Sequence, residues 1–397
     1  MLGFPIDPRA PLLRMLTLIE NGDVYGPQPL GRRSVLLVDG RIGKLGDVDR
    51  RALDALGVAH EVVDAADCIV APGIIDPHQH LLGGSGEKGF GTQTPEIALS
   101  EIVPWGITSV VGCLGVDTTM KTLAGLLARV KALREYGLGA YMWTGGYNVP
   151  PTSVMGGVRD DVMFISEIIG CGEVAIADER STDPTPQELA RLVTDAHVGG
   201  MLSGKAGVTH FHVGEGRRRM RCLHEILDES RFQVEAAWLY PTHINRSEAL
   251  LDEAIELARA GASVDLDTVD QDVHKWLRLY MDRGGDLSRF TVSSDAGSSS
   301  PRTLYEQLCG LVVEHRMPFE RVWPLVTANT ARVLKLERKG RLDVGCDADV
   351  VVLRRDSLDV VEVFAGGRRL VRDGSLAVNE RFLEDSNRRV RHDGEKQ

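Results

Sequence analysis

Two of the eleven histidines, His78 and His80, stand two apart in DPHQHLLGGSGEKG, after an apolar run and before a glycine-rich loop. At alternate positions of a strand their imidazoles point to the same side, an arrangement that suits a metal ion. Such an ion needs further ligands, so the rest of the chain must supply them. Candidates are Glu173 and Asp178 in GEVAIAD, His212 in VTHFHV, His243 in WLYPTHI and Asp295 in FTVSSD. Each histidine alone is better explained as a hydrogen-bonded core or surface residue than as a ligand. Together they share a position, at or near the end of an apolar strand-like run. Nitrogen and carboxylate donors in this mix suit zinc, with manganese, iron and nickel as alternatives. Four imidazoles and two carboxylates, His78, His80, His212 and His243 with Glu173 and Asp295, exceed what one tetrahedral ion takes and match two ions that share a bridging group and a water. A metal pair lowers the pKa of water and polarises a carbonyl, which is hydrolysis chemistry.

The elements that would carry these residues alternate regularly. Strand-like runs fall at 73–80, 107–113, 139–145, 172–178, 208–213, 238–244, 262–267 and 290–295. Helical stretches such as KTLAGLLARVKALREYG, TPQELARLVTDAH, RSEALLDEAIELARAG and PRTLYEQLCGLVVEH fill the gaps. Eight strand–helix units predict an α/β fold, a (β/α)8 TIM-like barrel over 71–338, whose site forms at the C-terminal strand ends. A doubly wound sheet is the competitor, but it rarely needs so many consecutive units, and GGSGEKG resembles a phosphate loop only loosely. Both chain ends, 1–70 and 339–397, carry short β-branched runs with NG and DG hairpin signals. They predict one small β-sandwich domain, with a loosely ordered charged tail from about 379. His210 shares a face with His212, one layer deeper, and is a candidate for a supporting role.

The formal net charge of −11 excludes nucleic acid and anionic membranes as main partners. Hydrophobic content of 43% and charged content of 26% are those of a soluble globular chain. The six cysteines, at 68, 113, 171, 222, 309 and 346, form no CxxC pair. They predict a reducing compartment without disulfides. MLGFPIDPRAPLLRML has no basic start before a long apolar core, and no run is long enough to cross a bilayer, so a cytoplasmic protein is expected.

An HxH on the first strand, histidines on the fifth and sixth and an aspartate on the eighth resemble the amidohydrolase superfamily. Within it the chain is most similar to the β-aspartyl (isoaspartyl) dipeptidases. The stretches that carry the likeness are APGIIDPHQHLLGGSGEKG, TPEIALSEIVPWGITSVVGCLGVD, MWTGGYNVP, AIADERS, GKAGVTHFHVG, YPTHINR and TVSSDAGSS. The resemblance implies that His78, His80 and Asp295 hold one metal while His212 and His243 hold the second. It implies two Zn2+ per chain bridged by Glu173 and a hydroxide. Asp295 would move the proton and Tyr147 would steady the oxyanion. Glu87, Arg180, Arg246 and Ser299 would grip the charged ends of a small dipeptide. The resemblance also implies a homo-oligomer.

Some positions depart from the family pattern. Glu173 stands where a carboxylated lysine bridges the metals, and no lysine lies between Lys131 and Lys205. Val116 replaces a threonine, Ser85 replaces a glycine, and the loop after Asp295 is short. The expected activity is therefore metal-dependent hydrolysis of an amide in a small dipeptide-like substrate. Hydrolysis of a cyclic amide or N-acyl amino acid is the alternative. A non-catalytic oligomeric barrel and a single-metal deaminase rank below both.

Overall fold

The computed structural model describes residues 16–55, 57–384 and 386–387. Five strands come first: β1 (Leu16–Tyr25), β2 (Pro29–Val38), β3 (Arg41–Gly46), β4 (His60–Asp64) and β5 (Cys68–Pro72). Eight more follow: β6 (Ile74–Gln79), β7 (Ile107–Gly112), β8 (Gly139–Thr144), β9 (Ile168–Ile176), β10 (Thr209–Val213), β11 (Leu239–Thr242), β12 (Val264–Asp267) and β13 (Phe290–Ser293). The last four are β14 (Val350–Arg354), β15 (Val360–Ala365), β16 (Arg368–Arg372) and β17 (Ser375–Leu376).

The two chain ends meet in one nine-stranded sheet, ordered β17-β16-β15-β14-β5-β1-β2-β3, with β4 also paired to β1. Its central seam is the antiparallel pair β5–β14, from Pro72 opposite Val350 to Cys68 opposite Arg354. Val24, Val35, Leu37, Val70, Val350 and Phe364 fill the core beneath it. Of the expected hairpin signals, Asp39–Gly40 turns β2 into β3 and Asp373–Gly374 turns β16 into β17, all four residues at positive φ. Asn21–Gly22 does not turn the chain. It lies inside β1 at a register shift against β2. A Cβ on Gly22 would meet Val70 Cγ2 at 2.4 Å, so the glycine serves close strand packing there.

The charged segment from about 379 also differs from expectation at its start. Glu380 is buried, accepting from the backbone N–H of Leu99 at 2.7 Å and from the Ser100 hydroxyl at 3.1 Å. A helical turn, Arg381–Glu384, follows. The tail from 388, and the first 15 residues on which the leader reading rests, lie outside the described residues.

Strands β6 to β11 form a parallel six-stranded sheet in chain order, and β12 pairs in parallel with β13. The two pieces adjoin through a parallel bridge between Gln79 and Ala296, beside a 2.7 Å bond from His80 N–H to Ala296 C=O. Across from β12, Thr242 on β11 and Ser293 on β13 both donate to Asp265, at 2.7 and 2.6 Å. Burial raises the Asp265 carboxyl to about 6 despite these hydroxyls. A helix follows each of the eight strands. This is a TIM-like arrangement, with an apolar core running between strands and helices.

The helices start where their sequences say they should. Thr185 caps Pro186–Ser203 in a reciprocal box with Glu188, and Ser247 caps Glu248–Ala260. β9 begins four residues earlier than its sequence pattern suggests. Gly170 and Gly172 interrupt its β-branched run, and both are needed for packing. A Cβ at 170 would meet Val208 C=O at 2.3 Å, and one at 172 would meet His210 Cβ at 2.7 Å. Glu173 consequently sits inside the strand and Asp178 just beyond it. No described helix is long and apolar enough to cross a membrane.

Glu167, just before β9, ties this strand to the helix Leu123–Glu135 through Lys131 at 2.7 Å and Arg134 at 3.2 Å. Burial alone would raise its carboxyl, but Lys131 and Ser166 outweigh burial and bring it to about 2. Its folded pKa is depressed, so its contribution is complete above the unfolded value and is lost as pH falls toward 2. Glu167→Gln should therefore destabilise by about 1 kcal/mol at pH 7, Lys131 being half exposed and screened. Urea midpoints of variant and wild type should converge as pH falls below about 4.5.

Candidate metal centre and substrate cleft

The strand ends bring the expected residues together. His78 Nε2 lies 3.2 Å from Glu173 Oε2 and 3.3 Å from Asp295 Oδ1. His80 Nε2 lies 3.6 and 3.1 Å from the same two oxygens. On the opposite side, Glu173 Oε1 lies 2.7 Å from His212 Nδ1 and 3.2 Å from His243 Nε2. One carboxylate thus faces four imidazoles, two on each oxygen. Glu173 and His78 are wholly buried and His212 and His243 nearly so. Burial disfavours charge on Glu173, but His78 and His212 outweigh it and hold the carboxyl well below its usual range. Asp295 is likewise held low, by His78 and His80 among others, against the same burial cost.

Two acids beyond this ring orient its histidines. Asp267 Oδ2 lies 2.8 Å from His243 Nδ1, which leaves Nε2 to face Glu173. Asp178 Oδ2 lies 3.0 Å from His212 Nε2, which leaves Nδ1 to face Glu173 and His243. Backing of this kind fixes which ring nitrogen can act as a ligand. Beneath the ring, His210 stacks on Trp143 with centroids 5.3 Å apart and meets the His78 ring edge-on at 4.9 Å. Its Nδ1 lies 2.9 Å from Tyr240 C=O. Burial and the nearby His78 push its pKa well down, so it is a neutral prop for the layer above.

A cleft of about 370 Å³ opens over the ring, lined by Ser85, Glu87, Val116, Tyr147, Arg180 and Ser299 among others. The Tyr147 hydroxyl lies 2.7 Å from His212 Nδ1. Burial and Glu173 push the phenol well above its ordinary value, so it keeps its proton. Arg180 donates twice to Asp178, at 2.8 Å each, and once to Glu87 at 2.7 Å. Arg246, from the turn after β11, donates to Val213 C=O at 2.8 Å and lies 3.1 Å from His212 Nε2. It is not among the lining residues of the cleft.

The site also holds residues that the motifs did not single out. Asp267 is the last residue of the strand-like run 262–267, and that strand-end place, two after Asp265 on the same face, is the signal that could have marked it. Cys113, at the end of GITSVVGC, lies 3.6 Å from His80 Nδ1.

The donor set fits a cation. His78 Nε2 and Glu173 Oε2 are buried without a hydrogen-bond partner, although they face each other. Three overlapping groups, His78–His80–Cys113–Glu173, His78–His243–Asp295 and Glu173–His212–His243, each place one donor atom per residue within 4.8 Å of the others. A divalent ion at such points satisfies atoms that nothing else among the described residues satisfies.

The fold and its histidine–carboxylate mouth define the class: the chain belongs to the amidohydrolase family, whose model matches residues 69–370. It is similar to β-aspartyl dipeptidase from the thermophilic keratin degrader Fervidobacterium islandicum AW-1, at 36% identity and a TM-score of 0.86. That match covers 92% of this chain and 99% of that one. A second structure of that enzyme, in complex with the β-Asp-Leu dipeptide, matches at 34% identity and a TM-score of 0.85, with the same coverage. Imidazolonepropionase from Bacillus velezensis is 22% identical over 357 residues, covering 81% of this chain and 84% of its own length.

The position of Glu173 depends on how closely β9 approaches β10. Gly172→Ala forces a methyl against His210 Cβ and should cost about 1–3 kcal/mol by overpacking. Thermal unfolding should show a Tm lowered by several degrees, and an unchanged Tm would disprove the close approach.

Proposed function

We propose that this chain hydrolyses β-aspartyl dipeptides, small molecules with an ammonium group and carboxylates around an amide. The observation that carries the reading is the ring of His78, His80, Glu173, His212, His243 and Asp295 under a charged cleft, buried except where His80 and Asp295 meet the cleft. Full-length similarity to a β-aspartyl dipeptidase supports it. The eight parallel strands are read as one (β/α)8 barrel over about 71–338. The nine-stranded sheet is read as a small β-sandwich domain from 1–70 and 339–397. A cytoplasmic homo-oligomer is the setting we infer for it.

In this reading His78, His80 and Asp295 would hold one divalent ion and His212 and His243 a second, with Glu173, which faces both sets of histidines, available to each. Two such ions, zinc being the pair proposed, activate a water and polarise the amide carbonyl when bound. Asp295 stays ionised beside His80 and accepts the proton of the attacking water, then delivers it to the leaving amine. Tyr147 keeps its proton and donates to the oxygen that becomes negative. Arg180, with a planar fork already oriented by Asp178, takes a substrate carboxylate, with Arg246 beside it. Glu87 takes the ammonium. Without substrate, Glu87 and Arg180 bind each other at 2.7 Å, so the two ends of a zwitterion replace an existing pair. Ser85 and Ser299 supply further hydroxyls along the wall.

A second reading, hydrolysis of N-acyl amino acids or cyclic amides, draws on one observation. Val116 gives the cleft an apolar wall with no hydroxyl to meet a carboxylate. Initial rates on β-Asp-Leu, α-Asp-Leu, an N-acyl amino acid and a cyclic ureide separate the two. We expect β-Asp-Leu to exceed α-Asp-Leu by roughly 100-fold in kcat/KM. A higher rate on the N-acyl amino acid or the ureide would select the second reading. Asp295→Asn should lower kcat by about 10²–10⁴-fold while the far-ultraviolet circular dichroism stays that of wild type.

A further inference from the structure

We propose that Cys113 supplies a thiolate ligand to the ion held by His78, His80 and Glu173, an assignment that rests on the metal-dependent reading above. Cys113 directly follows β7 and is almost wholly buried. Its sulfur lies 3.6 Å from Nδ1 and 3.9 Å from Nε2 of His80. Donor atoms of His78, His80, Cys113 and Glu173 all lie within 4.8 Å of one another, the one four-residue group of this kind among the described residues.

The spacing can be compared with a real coordination shell. A tetrahedral ion with nitrogen and oxygen ligands at about 2.1 Å and sulfur at about 2.3 Å has N···O edges of about 3.4 Å and N···S edges of about 3.6 Å. Three of the six edges are 3.2 Å from His78 Nε2 to Glu173 Oε2, 3.6 Å from His80 Nε2 to the same oxygen and 3.9 Å from His80 Nε2 to the sulfur, and the other three are within 4.8 Å. The first three fall within a few tenths of an ångström of the tetrahedral figures.

A second observation is independent of the cysteine. His78 Nε2 and Glu173 Oε2 are fully buried and lack any hydrogen-bond partner. Buried groups of this kind are normally satisfied, and here a cation is what satisfies both. Besides the His80 ring nitrogens, the thiol meets only Gln79 C=O, at 3.5 Å, and none of these is a short, strong bond. On binding, the S–H bond breaks, its proton leaves to solvent, and the freed electron pair forms the bond to the metal.

The assignment has two consequences. With sulfur at the fourth corner, the proposed ligand set changes at one place: Asp295 leaves that ion's shell, and its carboxylate is free to accept a proton. A thiolate also makes the subsite prefer zinc, cobalt or cadmium over magnesium and manganese.

The test is the absorption spectrum of the full-length chain loaded with cobalt(II), for wild type and Cys113→Ser. Wild type should show a near-ultraviolet thiolate-to-cobalt charge-transfer band as well as the visible bands of low-coordinate cobalt. Cys113→Ser should lose the first and keep the second. Visible bands without charge transfer in wild type would overturn the assignment and leave the metal reading standing. A charge-transfer band that persists in Cys113→Ser would place the sulfur on another cysteine and also overturn it. Absence of both bands in wild type would remove the metal reading and this assignment together.

Discussion

A wholly buried carboxylate, set among four imidazoles, is the constraint on which the rest of this structure depends. Glu173 is wholly buried, and removing a charge from solvent costs several kcal/mol unless partners surround it. The partners come from three other strands or strand ends, β6, β10 and β11, so no local segment could provide them. The parallel arrangement of β6 to β13 exists at this point to make those ends converge. Asp267 and Asp178 then decide which nitrogen of His243 and His212 faces inward.

Support for the ring is laid down in layers beneath it. His210 and Trp143 form a stacked pair under His78, and the Trp143 indole N–H donates to Pro77 C=O at 3.1 Å. Across the barrel, Tyr240, Thr242, Thr291 and Ser293 converge on Asp265. These hydroxyls join strands whose backbones do not pair directly, between β11 and β12, and they leave the mouth above free for chemistry. The end of β5, one residue before β6 begins, is held by the Trp323 indole, which donates to Pro72 C=O at 2.8 Å. The sheet built from both chain ends therefore braces the strand that carries His78 and His80.

Much of this was legible in the residues. HxH at alternate positions, and single histidines or acids at the ends of apolar runs, predict convergence because strand alternation and barrel geometry are strong rules. The fold class followed from the alternation of strand and helix lengths. What was not legible depended on tertiary approach. Asn21–Gly22 has the composition of a hairpin turn, but Val70 of β5 packs where a side chain would be, and the pair becomes a bulge. The start of β9 was hidden because glycines chosen for contact with β10 and Trp143 dilute its β character. Asp267 and Cys113 carry no motif, and their roles appear only once their neighbours across the strands are known. Glu380 looked like part of a charged tail, and its burial against Leu99 is a contact across 281 positions of the chain.

The central claim is that Glu173 lies between two cations rather than among histidines alone. Anomalous diffraction at the zinc edge, from crystals grown with zinc, tests it most directly. The account predicts two peaks on either side of the Glu173 carboxylate, each about 2.0–2.2 Å from one of its oxygens. A Glu173 carboxylate bonded only to imidazoles, with no anomalous density beside it, would contradict the account.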